Sequence, residues 1–172
     1  MILENEKIKQ ALEYIKEEDP ATTQDTLNMC QIPAPSYKEE KKAEYIRERF
    51  REIGLRDVRI DAVGNVLGIW PGTGEGPSVM LAAHTDTVFP EGTDLSIRKE
   101  GNRYYCPGIN DDTHAVAEMI AVAKAMIHAD LHTKGDLIFC ANVCEEGLGD
   151  LRGIKHVFKD MADTEGHYDG FV

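Results

Sequence analysis

Positive charge is what this sequence is short of. Lys and Arg number 19 against 31 Asp and Glu, a net charge of −12 over 172 residues. That balance argues against a nucleic-acid partner or an anionic membrane surface, both of which attract clustered cations. Long apolar runs are missing too, and none approaches the roughly 20 residues that span a bilayer. The start, Met1-Ile2-Leu3-Glu4-Asn5-Glu6, lacks the basic opening and apolar core of a signal peptide, so the expected location is cytoplasmic. Cysteine is sparse. Cys30, Cys106, and the pair Cys140 and Cys144 on one expected strand match no common zinc spacing, and reduced, mostly buried thiols are expected. There is no internal repeat or low-complexity tract, and Gly72, Gly74 and Gly76 fall in no phosphate-cradling pattern. What is present is ordinary for a globular protein: 42% hydrophobic and 29% charged residues, in a length that suits one domain with a real core.

Periodicity orders the chain. Ile8, Ala11, Leu12 and Ile15 recur at helical spacing, and Asp19-Pro20 punctuates a second helical start. Ser36-Tyr37-Lys38-Glu39 has the form of a capping box. The helix behind it carries Ala43, Ile46, Phe50 and Ile53 on one face, stops at Gly54, and shows its charges as a solvated face. Two strands follow, around Val58–Ile60 and Val66–Trp70, turned at Gly64-Asn65. Residues 91–103 read as an excursion with a hairpin. Residues 113–129 form the clearest helix, with Val116, Met119, Ile120, Ala123 and Ile127 on its core face. His114 lies in its first turn, and His128 and His132 are expected at the surface. A helix with Ile154, Val157 and Phe158 on one side comes later, and residues 167–172 resemble the opening of a strand. Alternating strands and helices make this an α/β chain with a largely parallel sheet.

Two apolar runs end in chemistry. Val79 to Ala83 reads as a buried strand that delivers His84 and, two residues on, Asp86. Leu137 to Val143 is a second such strand and delivers Glu145-Glu146. Between them, Gly108-Ile109-Asn110-Asp111-Asp112 opens the long helix, where capping would account for one of the two aspartates. Ligands of open α/β sheets bind beyond the carboxyl ends of the strands. A histidine there can ligate a metal while a carboxylate holds its other ring nitrogen; its plainer role is a strand-end hydrogen bond. Adjacent residues on extended chain face different ways, so one of Glu145 and Glu146 can bind a metal while the other faces a water. Imidazole with carboxylates suits zinc, manganese or cobalt better than calcium or magnesium. Several carboxylates in one place repel each other without cations. Two metals about 3.5–4 Å apart, bridged by a carboxylate and a water, would offset that repulsion.

With those residues in view, the chain resembles the co-catalytic zinc peptidase family that includes peptidase T, glutamate carboxypeptidase, aminoacylase and acetylornithine deacetylase. The matching segments are Ala83-His84-Thr85-Asp86-Thr87-Val88, Gly108-Ile109-Asn110-Asp111-Asp112-Thr113 and Cys144-Glu145-Glu146-Gly147. Weaker matches are Ile32-Pro33-Ala34-Pro35-Ser36 with Glu39, and Asp61-Ala62-Val63-Gly64-Asn65-Val66. The resemblance implies a three-layer αβα sandwich and a hydrolase that cleaves an amide in a small peptide or N-acylated amino acid through a metal-bridging water. It implies two divalent ions, zinc first, with cobalt or manganese as alternatives. His84 would ligate the first metal, Asp111 would bridge both, and Glu146 would ligate the second. Asp86 would orient His84, Glu145 would be the general base, and the Asp111–Asp112 peptide would be cis.

Departures from the family bear on the same expectations. Family members are longer, with a further acidic ligand, a final histidine ligand and an inserted lid. Residues 1–172 are thus expected to be the N-terminal portion of a catalytic domain, with a sheet incomplete at its C-terminus and the lid or dimerisation domain absent. Thr113-His114-Ala115 stands where some members have Lys and Gly, which leaves peptidase and deacylase activities unseparated. The alternative is a non-catalytic or truncated homologue that folds without turnover; an unrelated phosphoesterase fits the ordered motifs poorly. By itself the chain is expected to bind divalent metal weakly and to hydrolyse nothing, and an open sheet edge offers a route to a homo-oligomer.

Overall fold

A computed structural model describes residues 2–163 and 168–172, and the side chains of 161–163 lie outside the description, as does His167 of the expected final strand. Three helices come first: α1 (Glu6–Glu17), α2 (Asp19–Cys30) and α3 (Glu40–Glu52). The Asn5 side chain caps α1 by accepting from the Lys7 N–H at 2.9 Å. Pro20 sits in the first turn of α2, where its missing N–H costs no hydrogen bond. Gly54 adopts φ 92° just past α3 and ends it. Strands β1 (Arg56–Ile60), β2 (Val66–Trp70) and β3 (Val79–His84) follow. The excursion contains a separate hairpin, β4 (Arg98–Glu100) with β5 (Arg103–Tyr105). Then come α4 (His114–His128), β6 (Leu137–Asn142), α5 (Arg152–Asp163) and β7 (Gly170–Phe171).

The main sheet has the order β1-β2-β6-β3-β7. β6 and β3 pair in parallel, as do β3 and β7, while β1–β2 and β2–β6 are antiparallel. The parallel part is therefore the part that carries the candidate residues. β6 is buried along its whole length, as expected for a strand covered on both faces. Its alternation sorts the core. Phe139 and Ala141 face a cluster with Ile46 and Phe50 of α3 and Val116 and Ile120 of α4. Ile138 and Cys140 face the other way, toward Leu67, Met80 and Val157 of α5. Helices on both faces give the three-layer αβα arrangement. Truncating the fully buried Phe139 to Ala would cost about 3–5 kcal/mol.

Several local expectations change in three dimensions. Leu12 is exposed; Tyr14 joins Ala11 and Ile15 on the packed side of α1 instead, stacked on the exposed His128 with centroids 4.2 Å apart. His132 is not a surface residue. It is half-buried, stacks on Trp70 at 4.4 Å and bonds the Pro71 carbonyl at 2.7 Å. Phe158 is exposed and tilts toward Phe171. All four cysteines are free and buried, but Cys144 lies beyond β6, not on it. Gly72 and Gly76 serve close packing: a Cβ on Gly72 would sit 2.4 Å from the Gly135 carbonyl oxygen, and one on Gly76 2.4 Å from Lys134 Cβ. Among the described residues, no helix is long and apolar enough to cross a membrane.

Candidate metal centre

The site forms because β3 and β6 run side by side and end together. His84 is level with Asn142 in the ladder, and the Thr85 N–H still bonds the Asn142 carbonyl at 2.8 Å. Both chains then leave the sheet at one edge, so His84 and the Glu145-Glu146 pair emerge into the same space. The third contributor is a kinked turn over Ile109–Thr113 that opens α4. Asp111 (φ −133°, ψ 96°) and Asp112 (φ −122°, ψ 23°) are non-helical there, and the peptide between them is cis.

Ligand atoms of His84, Glu145 and Glu146 come within 4.8 Å of one another. Asp111 joins them through His84, with Oδ1 3.0 Å from Nε2, and Glu145 Oε2 lies 3.8 Å from the same nitrogen. Asp111 is largely exposed and His84 largely buried. Asp112 points elsewhere: its Oδ2 accepts the His84 backbone N–H at 3.1 Å. Neither aspartate caps α4, whose start has no side-chain cap. His114 is also apart, within 3.3 Å of Thr26 and of Glu118.

Asp86 is fully buried and lies beneath this cluster. Its Oδ1 is 3.4 Å from His84 Nδ1 and accepts the Glu145 N–H at 2.9 Å. Its Oδ2 accepts the Glu146 N–H at 3.1 Å and the Ser36 hydroxyl at 2.6 Å. His84 Nδ1 also lies 3.1 Å from the Asp86 backbone carbonyl. One carboxylate thus locks the imidazole and the following acidic pair together. Burial would raise its pKa, but hydrogen bonds from His84, Ser36 and the two amides outweigh it and hold Asp86 down at about 2. For His84, burial would lower the pKa. The hydrogen bond to Asp86 and the charges of Asp112, Asp86 and Glu145 prevail and lift it to about 9. Glu146 is pushed up by burial and by the charge of Asp111. That is the like-charge crowding a bound cation would relieve.

Four residues, Ser36, Glu39, Asn65 and Lys42, have local readings that the structure overrides. Ser36 and Glu39 do not form a capping box. Ser36 donates to Asp86, Glu39 accepts the Cys144 N–H at 2.9 Å, and α3 starts at Glu40 without a side-chain cap. The signal was present, since the same two residues belong to the weaker family match, but the local pattern has a local explanation. Asn65 belongs to the other weaker family match, and its local pattern is that of a turn residue. Fully buried, it accepts the Val143 N–H at 3.0 Å and donates to the Gly153 carbonyl at 2.9 Å, fixing the end of β6. Lys42 was assigned to the solvated face of α3 but is almost fully buried, with Nζ 3.4 Å from Thr113 Oγ1. Burial pushes its pKa down against the pull of Cys30, Asp86, Cys106 and Glu39.

Comparison with known proteins completes the observations. The family model described as peptidase family M20/M25/M40 matches residues 80–172. The chain is 35% identical over 120 residues to a putative LysW-lysine/LysW-ornithine hydrolase of Pyrococcus abyssi, covering 70% of this chain and 32% of that one. It is 29% identical over 153 residues to succinyl-diaminopimelate desuccinylase of Corynebacterium glutamicum, covering 89% and 40%. The fold superposes on the Saccharomyces cerevisiae di-peptidase Dug1p with a TM-score of 0.73 at 18% identity, over 92% of this chain and 38% of that one. The chain therefore spans 32–40% of the length of these curated relatives.

Proposed function

Because this chain belongs to peptidase family M20/M25/M40, we propose that its strand ends serve a metal-dependent hydrolase that cleaves an amide bond in a small peptide or N-acylated amino acid. The observation that carries the reading is the convergence of His84, Glu145 and Glu146 within 4.8 Å, with Asp111 3.0 Å from His84. One imidazole among carboxylates is a donor set that fits zinc, cobalt or manganese. In this reading His84 and Asp111 would hold one cation, and Asp111 and Glu146 would hold a second. Bound there, the pair would polarise the amide carbonyl and acidify a water.

The protein groups have separable tasks. Asp86 accepts at His84 Nδ1 through its backbone carbonyl at 3.1 Å, with its carboxylate 3.4 Å away, which fixes the tautomer and leaves Nε2 for a cation. Asp86 also holds the Glu145 and Glu146 amides, so ligand and base move together. The partly exposed Glu145 carboxylate is open to water and takes the proton as general base. It then returns that proton to the leaving amine. Residues 1–172 supply the metal-bearing part of one catalytic domain, and the activity is proposed for the whole enzyme. Catalytic cations take about three protein ligands each, and three candidate ligands, with Asp111 shared between two ions, fall short. The 172-residue chain alone is therefore expected to bind weakly and hydrolyse nothing. The test is E145A in the complete enzyme. Metal content should be retained while turnover falls by about 10²–10⁴-fold, the scale of general-base catalysis. Near-normal turnover would reject the base assignment, and loss of metal would make Glu145 a ligand instead.

A further inference from the structure

Three successive backbone N–H groups beyond β6 are held by buried carboxylates. Those of Glu145 and Glu146 donate to Asp86 at 2.9 and 3.1 Å, and that of Cys144 donates to Glu39 Oε1 at 2.9 Å. The Cys144 thiol donates to the same oxygen at 3.3 Å. Asp86 follows β3, whereas Glu39 comes from the turn before α3, so two distant segments grip one short loop. Cys144 needs the grip. Its φ is 52°, in the left-handed region that side-chain-bearing residues rarely adopt, and this conformation aims the next two residues at His84. Glu39 is 5% exposed, and its ordinary helix-capping task is unfilled. One turn further along α3, Lys42 reaches Thr113, which directly follows Asp111-Asp112. Glu39, just before α3, and Lys42, in its first turn, therefore tie both loops that carry candidate metal ligands.

We propose that Glu39 is a positioning residue for the metal centre: by holding the Cys144 peptide in its left-handed conformation, it sets where Glu145 and Glu146 point. The inference rests on the metal-centre reading. Glu39 itself acts through Cys144, and the loss of its acceptor should be felt one and two residues further on, at amides it does not bond.

The experiment is amide hydrogen exchange by NMR on the chain in chelator, with zinc titration by calorimetry, for wild type, E39A and E39Q. In E39A, exchange at Glu145 and Glu146 should rise about tenfold, the worth of roughly one net hydrogen bond, while residues 137–141 of β6 stay protected. Zinc affinity should fall by about tenfold or more, as for other groups that orient ligands. E39Q keeps an acceptor oxygen for the Cys144 N–H and should restore both readouts. A change confined to the Cys144 amide, or equal effects of E39A and E39Q, would overturn the proposal. If E39A does not fold, E39M against E39Q makes the same comparison at nearly constant side-chain size. Zinc uptake left unchanged by H84A would reject the metal reading, and the exchange pattern would still decide the role of Glu39.

Discussion

Replacing Asp86 by Asn tests the centre of the arrangement without changing its shape. Both carboxylate oxygens are acceptors here. One faces the Glu145 N–H and His84 Nδ1, and the other faces the Glu146 N–H and the Ser36 hydroxyl. An amide has only one acceptor oxygen, so either orientation turns an NH₂ toward a donor. The less costly one faces the NH₂ to Ser36, whose hydroxyl can rotate to accept, and leaves the Glu146 N–H without a partner. A buried donor left unmade costs about 1–3 kcal/mol. The charge can be sized separately. A carboxyl held at about 2 instead of 3.8 favours the folded state by about 2 kcal/mol above both values. The two figures overlap, because the hydrogen bonds produce much of the shift, so the expected loss for D86N is about 2–4 kcal/mol. Urea unfolding of the metal-free chain at neutral pH measures it. The sign follows from a lowered folded pKa: the contribution is present above 3.8 and is lost as pH falls through about 2. The gap between wild type and D86N should therefore stay constant down to about pH 4 and then shrink. D86N within about 0.5 kcal/mol of wild type, or a gap that ignores acid, would refute the assignment of Asp86 as the anchor.

His84 provides a second test. Its pKa, raised to about 9, stabilises the metal-free fold fully below 6.5, and that contribution fades as pH rises through about 9. Zinc binding near pH 7.5 must expel the Nε2 proton, so calorimetry in buffers of different ionisation enthalpy should show release of about one proton; buffer-independent heats would exclude His84 as a ligand. Gly153→Ala should destabilise the chain by about 3 kcal/mol, since its Cβ would meet Asn65 Oδ1 at 2.3 Å and the Val143 carbonyl oxygen at 2.4 Å. A wild-type melting temperature for G153A would show that the contact yields.

Much of this protein is written in local sequence. The strands that end at His84 and near Glu145 are continuous apolar runs, and α4 announces itself by the 3.6-residue recurrence of Val116, Ile120 and Ala123. Burial is a property each such segment carries by itself. His84 and the Glu145-Glu146 pair stood out for the same reason, because charged residues directly after buried strands have few structural uses; Asp111 and the separate roles came from the resemblance to the family. What the sequence could not decide is which distant groups complete that edge. Ser36 and Glu39 satisfy a helix-capping pattern within four residues, yet they bond Asp86 and Cys144, 50 and 105 positions away. Lys42 sits among the charges of an amphipathic helix and is buried only because α3 lies against the loop before α4. Asn65 looks like a turn residue until Val143 and Gly153 pack onto it. In each case a polar side chain has a plausible local partner, and the choice goes to a remote one because folding removes the competing water and leaves a buried donor there. Periodicity determined the elements and the ends from which the candidate residues project; tertiary packing decided which remote groups, Ser36 and Glu39 among them, hold those ends in place.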